Sequence, residues 1–382
     1  MEYKRLGDNI REVNVRNREL KVTNLLGVSI SKEFMPSIAN TIGTDMSTYK
    51  IVELGQFAYG PVTSRNGNKV SIALLDDYDD AIISQAYTVF EVIDHEQLLP
   101  KYLMMWFRRP EFDRYARFHS HGSAREIFDW DELCDVMLPI PSIARQREIV
   151  AEYETLSNRI HLNEQMIEKL EATAQALYRK MFVDNIDKQN LPTGWRLATL
   201  EDLGEIVGGA TPSTNNPDYW CDNGIAWLSP ADLSKQSTKF IAKGAKGLTE
   251  LGFNSCSTKM LPKGSILFSS RAPIGLMAIT TKNLCTNQGF KSIIPKDSIG
   301  LEYVYYYLLS IKDKIADENT GSTFDEVSGQ AMKNYSAIIP PKEITTAFSK
   351  TISPIFKYQL KIEQENEKLT ELQSLLLAKM GQ

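Results

Sequence analysis

The sequence has few of the residues that enzymes use for chemistry. In 382 residues there are four histidines and four cysteines. Cys134, Cys221, Cys256 and Cys285 are widely scattered, with no C-x-x-C pair and no histidine at ligand spacing. Such thiols read as reduced and structural, which excludes a zinc ribbon and a disulfide framework. There is no G-x-x-x-x-G-K-[ST] loop, no G-x-G-x-x-G after a strand, no H-E-x-x-H and no G-x-S-x-G elbow. Accordingly no catalytic residue, no metal site and no cofactor is expected. No apolar run approaches the ~20 residues of a membrane span. Met1-Glu2-Tyr3-Lys4-Arg5 has no apolar core behind it, so the cytosol is the expected compartment, without a membrane partner.

What is present is a long helical seam, and it occurs twice. Ile149, Tyr153, Leu156, Ile160, Asn163, Ile167, Leu170, Ala174, Leu177 and Met181 alternate in steps of four and three, with charged residues such as Glu152, Glu164 and Lys169 between them. That spacing is a coiled-coil seam, roughly 50 Å long at 1.5 Å per residue. A seam needs something to bury it, and the counterpart lies 199 positions on. Phe348, Ile352, Ile355, Gln359, Ile362, Asn366, Leu369, Gln373, Leu376 and Met380 repeat the spacing. The match begins before the helices, where His121-Gly122-Ser123 answers Thr320-Gly321-Ser322 and Ile140-Pro141 answers Ile339-Pro340. An ungapped repeat of this length makes the chain two copies of one unit, a globular part followed by a long helix. If Ile149 faces Met380 in an antiparallel pair, Asn163 faces Asn366, and a buried Asn pair fixes register. Gln359 and Gln373 suit a dry seam less well and are read either as docking points for added helices or as a wet seam edge.

The globular parts read as α+β. Residues 1–143 form the first, 144–183 the central helix, 184–190 a polar linker, 191–341 the second globular part and 342–382 the C-terminal helix. Val70 to Leu75, Tyr87 to Val92, Ser265 to Phe268 and Gly275 to Thr280 alternate like strands. Leu98 to Phe118 reads as helices broken at Pro110, with an arginine-rich face, and Tyr303 to Ile311 as an aromatic helix. Nothing repeats as βαβ, so a doubly wound sheet is not expected. Asp76 to Asp80 reads as a solvated acidic loop. Within the two copies Ser64-Arg65 answers Ser270-Arg271, and Gln85-Ala86-Tyr87 answers Gln288-Gly289-Phe290, with loops of different length between them. Similar scaffolds with different loops suggest two binders of different specificity.

The net charge of −5 excludes a bulk polycation, yet the charge is uneven. From Lys235 to Lys291 there are nine basic residues and one acid, Glu250. A local excess of that kind is either a footprint for a polyanion or a solvated surface whose lysines diverge. On the first reading Lys69, Arg108, Lys235, Lys239, Lys243, Lys246, Lys259 and Lys282 are phosphate contacts, which position without specifying. Arg65 and Arg271 are candidate base readers, since arginine is the usual bidentate reader of guanine. The alternative for both is an internal ion pair that orients a loop.

Several motifs together are specific to one family. Leu191-Pro192-x-Gly194-Trp195 is followed by Thr211-Pro212 and Tyr219-Trp220, then Ser270-Arg271-Ala272-Pro273-Ile274-Gly275 and Asn287-Gln288-Gly289-Phe290. The block of Gly-Ser, prolines and long helix occurs twice. End to end the chain resembles the specificity subunits of type I restriction-modification systems. The resemblance implies two target-recognition domains alternating with two long helices that pair as an antiparallel coiled coil with pseudo-twofold symmetry. Each domain would read one half of a bipartite double-stranded DNA target, and helix length would set the unread spacer. Methylation subunits, two of them, would dock on the helices and supply cofactor and adenine methylation, and restriction/translocase subunits would add cleavage. The first domain departs from the pattern. It has no Trp opener, and Tyr3-Lys4-Arg5-Leu6-Gly7-Asp8 is a shortened counterpart.

Other readings exist. A type IIB-like system shares the architecture. An adenine methyltransferase in its own right would need the N-P-P-[YF] tetrapeptide, of which Asn216-Pro217-Asp218-Tyr219 lacks a proline, and a Gly-rich cofactor loop, which is missing. A coiled-coil scaffold binding proteins through both domains is a third.

Overall fold

A computed structural model describes residues 3–37, 43–64, 66–67, 69–122, 125–184, 186–187, 189–236, 238–271, 273–319 and 326–381. The chain divides into two compact units, Met1–His161 with Glu367–Gln382, and Leu162–Asn366.

The first unit is built on a four-stranded antiparallel sheet in the order Ile10–Val13, Thr88–Val92, Phe57–Gly60, Ser71–Leu74. Its inward side chains, Phe57, Tyr59, Ile72 and Phe90, meet two helices, Pro100–Arg108 and Pro110–Phe118, and are almost fully buried. The helix breaks where Pro110 removes a backbone donor, as the sequence implies. Ile149, Val150 and Tyr153 of the central helix, with Leu377 and Met380 of the C-terminal helix, complete this core.

The second unit is built on two larger sheets. A five-stranded one runs Gly204–Gly208, Lys291–Pro295, Ile266–Phe268, Met277–Thr280, Phe240–Ile241, and a four-stranded one runs Trp220–Cys221, Lys246–Leu248, Ile225–Leu228, Cys285–Thr286. The aromatic helix Leu301–Asn319 lays Tyr303 and Tyr306 against Tyr178 and Phe182 from the end of the central helix. Phe348, Ile352 and Phe356 from the start of the C-terminal helix close the same core.

Tyr3–Arg5 replaces the missing opener of the first copy. It pairs antiparallel with Met137–Pro139, as Arg196–Thr199 pairs with Ser336–Ile339 in the second. The backbone N–H of Leu6 donates to Val136 O, and that of Leu200 donates to Tyr335 O. Val136 and Tyr335 are the same repeat position. Tyr3 packs edge-on to Trp106 at 6.4 Å, while Trp195 packs on Phe182 at 6.0 Å.

The central helix spans Ile143–Phe182 and the C-terminal helix Lys342–Lys379, the latter running through Pro354. All twenty seam positions are buried or half-buried. Asn163 Nδ2 donates to Asn366 Oδ1 at 2.7 Å, the pair that an antiparallel register with Ile149 opposite Met380 places face to face. The two glutamines are satisfied within the seam. Gln373 Nε2 donates to Ser157 Oγ at 2.7 Å. Gln359 is fully buried, donates to Ile167 O at 3.4 Å and accepts from Lys239 Nζ at 2.8 Å. They are internal polar layers, which buried amides with partners can form without penalty.

Candidate nucleic-acid interface

In the second unit three loops meet. Gly209 is obligatory at their junction, since a Cβ there would stand 2.1 Å from Thr286 O. The turn after Ile266–Phe268 is closed by Ser269, whose Oγ donates to Pro273 O at 2.7 Å and accepts from Leu276 N at 2.8 Å. This brings Arg271 over the backbone of Gly289. Asn287 Oδ1 accepts from Gly289 N at 2.9 Å and fixes the neighbouring turn, leaving Gln288 exposed with its Oε1 held by Thr211 Oγ1. Lys291 donates to Ser270 Oγ and Gln288 O, and Lys291 and Arg271 both face Glu326, at 3.2 and 3.7 Å. One carboxylate against two cations leaves net positive charge. Arg271 is thus half-exposed and paired, a geometry that serves either a base contact or loop orientation.

The candidate phosphate contacts of this domain fall into two groups. Lys235, Lys243, Lys246, Lys259 and Lys282 are exposed, and Lys246 caps the ring of Trp220 at 5.1 Å beside a recess of about 310 Å³. Lys239 is turned inward, contrary to the phosphate-contact reading. Its side chain is 8% exposed and ion-paired with Glu171 of the central helix. It donates to Tyr306 Oη at 3.2 Å and lies 4.3 Å from the Phe356 ring centre. Burial lowers its ammonium pKa, and the Glu171 carboxylate opposes that shift. For Glu171, burial raises the carboxyl pKa, but Lys239 together with hydrogen bonds from Gln175 and Gln359 outweighs it and holds it low. A counted window of sequence could not reveal this, because Glu171, Glu326 and Glu363 lie outside it.

In the first unit Arg65 lies outside the described residues, as do Ser123, Ala272 and Thr320-Gly321-Ser322. Lys69 is exposed. Arg108 is half-buried, its guanidinium 5.7 Å from the Tyr153 ring of the central helix, in the wall of a cleft of about 570 Å³. The rest of the arginine-rich face is engaged too. Arg109 stacks on Trp106 at 4.1 Å, Arg114 pairs with Glu111 at 3.0 Å and Arg117 pairs with Glu126. His119 Nδ1 stands 2.9 Å from Glu132.

The four thiols are free. Burial pushes Cys285 up to about 12 and raises Cys134, the opposite of an activated nucleophile. Asn216 accepts from Asp218 N at 3.1 Å and forms the expected turn. Among the described residues no cluster of three or more His, Cys, Asp or Glu could hold a metal, and no helix is long and apolar enough to cross a membrane.

Comparison with known proteins finds one family in both halves of the chain. The model of the type I restriction modification DNA specificity domain matches twice, at residues 31–172 and 192–373. The specificity subunit of the type I restriction enzyme MjaIX from Methanocaldococcus jannaschii is 40% identical over 159 residues, 41% of this chain and 37% of that protein. That of HindI from Haemophilus influenzae is 25% identical over 403 residues, covering 87% of this chain and 86% of that one. A crystal structure of the type I restriction-modification S subunit from M. genitalium shares the fold, with a TM-score of 0.61 over 100% of this chain and 96% of that one at 12% identity.

Proposed function

Because the chain belongs to the type I restriction modification DNA specificity family, matched in both of its halves, we propose that it is the subunit that tells such a complex where to act on double-stranded DNA. Each recognition domain, 1–143 and 191–341, reads one half of a bipartite target. The helices at 144–183 and 342–382 set the number of unread base pairs between the halves and carry two methylation subunits, with restriction/translocase subunits joining the assembly. Methyl transfer and cleavage belong to those partners, and this chain contributes no catalytic group. The observation that carries this reading is the repeat itself, two globular parts on two helices with a common seam.

The decisive experiment is sequencing of modified bases in the source genome with and without this reading frame. Loss of N6-methyladenine at one gapped, two-part motif is expected. An unchanged methylome with the methylation subunits expressed would sink the proposal and favour a protein scaffold.

The exposed lysines give a second expectation. Replacing Lys243, Lys259 or Lys282 by alanine in the assembled methylation complex should weaken DNA binding equally for all sequences. It should also reduce the slope of log affinity against log salt by about 0.9 for each phosphate left without its cation. Fluorescence anisotropy over a salt series measures both, and a change of base preference would reassign that lysine from phosphate to base.

A further inference from the structure

Each recognition domain holds a lysine whose side chain is more than nine-tenths buried and reaches into the core beside the long helices, Lys32 in the first and Lys239 in the second. They are 207 positions apart, against 206 for Ser64 and Ser270 and 203 for Gln85 and Gln288, so they occupy the same place in the repeat. Each contacts the same repeat position of a facing helix, though through different atoms. Lys32 Nζ donates to the carbonyl of Phe107 and Lys239 Nζ to Tyr306 Oη, and Phe107 and Tyr306 are 199 apart.

Their counter-charges differ. Lys32 pairs at 2.8 Å with Asp113, on a helix of its own domain. The repeat position of Asp113 in the second copy is Lys312, which cannot serve. Lys239 instead finds Glu171 on the central helix and Gln359 on the C-terminal helix. Glu363, also on the C-terminal helix, accepts from the backbone N–H of Lys239 at 3.1 Å and of Phe240 at 3.3 Å. The matching positions in the other copy, Thr370 for Glu171 and Ile160 for Gln359, carry no such groups. Where Phe356 fills the second unit beside Lys239, the repeat position is Ser157, which lines the open cleft beside Lys32.

We infer that Lys239 is a positioning residue, a latch that locks the second recognition domain in register on both long helices and thereby helps fix the spacer, without touching DNA. The inference rests on the function proposed above. A domain held through a desolvated ammonium between two helices cannot slide by the roughly 3.4 Å that one base pair requires without stripping that charge of its partners.

The test uses the complete chain with its methylation subunits and reads the methylome. Lys239→Met should keep both half-motifs but add modified sites whose spacer is one base pair longer or shorter, so that discrimination by spacing falls roughly tenfold. Lys239→Arg, which restores the charge, should return most of the strictness. Because Lys239→Met leaves Glu171 unpaired, the double variant Lys239→Met, Glu171→Leu is examined alongside, since apolar replacement of a whole buried pair is usually tolerated. Unchanged spacing in both variants would overturn the inference. So would a change in the bases read, or loss of all methylation in both. A wild-type complex that modifies no bipartite motif would instead overturn the parent proposal.

Discussion

Between pH 5 and 8 the second unit is expected to lose stability relative to a Glu363→Gln variant. Glu363 is 8% exposed, and burial pushes its carboxyl from 4.5 up to about 7, although the N–H groups of Lys239 and Phe240 and the Lys239 charge pull it down. The titratable groups on other elements that act on it are Lys239, Glu171 and Tyr305. Between pH 4.5 and about 7 the folded form binds the proton that the unfolded chain has released, so stability falls as pH rises through that window and stays low above it. At 1.36 kcal/mol per pH unit the loss amounts to about 3 kcal/mol. Glutamine cannot titrate and forfeits one acceptor, so the variant starts lower but lacks the slope. Denaturant titrations of both proteins across this range give the difference directly. Parallel curves would mean that Glu363 ionises normally in the folded state.

The second large effect is expected at Phe348. Its ring is fully buried and stands edge-on to Phe182 at 5.0 Å, Tyr178 at 6.1 Å and Tyr306 at 6.2 Å. The first turns of the C-terminal helix, the last turns of the central helix and the aromatic helix therefore share one residue. Phe348→Ala removes most of a ring from a site hemmed in by three helices, and such truncations cost about 3–5 kcal/mol. Phe348→Leu, which keeps most of the volume, should cost less than half as much. Equilibrium unfolding followed by tyrosine and tryptophan fluorescence measures both, with the unfolding of the first unit as internal reference. Equal losses for the two variants would show that the ring's edge contacts, not its volume, carry the energy.

Much of the architecture is legible in the sequence because it is periodic. The seam obeys a four-three step, the repeat has a constant offset across the helices, and Pro110 ends a helix by its own covalent structure. The site is legible only in part. Arg271 and Gln288 are neighbours in space, and the sequence groups them only by analogy with Arg65 and Gln85. Lys239 escapes a sequence reading because its partners come from residues 68 and 124 positions away. The packing of Arg108 on Tyr153 is likewise invisible in the sequence, because Tyr153 lies across a helix break and a strand. Local counts of charge register composition, whereas burial and pairing depend on which distant segments the fold brings back. The polar seam residues Gln359 and Gln373 fail as exceptions for the same reason, since each has a partner on another segment.

The displaced counter-charge of Lys239 limits how freely the halves of this protein can be recombined. An engineer seeking a new address would graft the second reading head into the first slot, trusting the repeat. The grafted lysine would then find Thr370 and Ile160 where Glu171 and Gln359 had been, with Glu164 alone in the place of two carboxylates. The transplant would carry a stranded cation into its new seat. A working chimera must bring the matching helix positions along, so the unit of exchange is a reading head together with the stretch of each helix that answers its lysine.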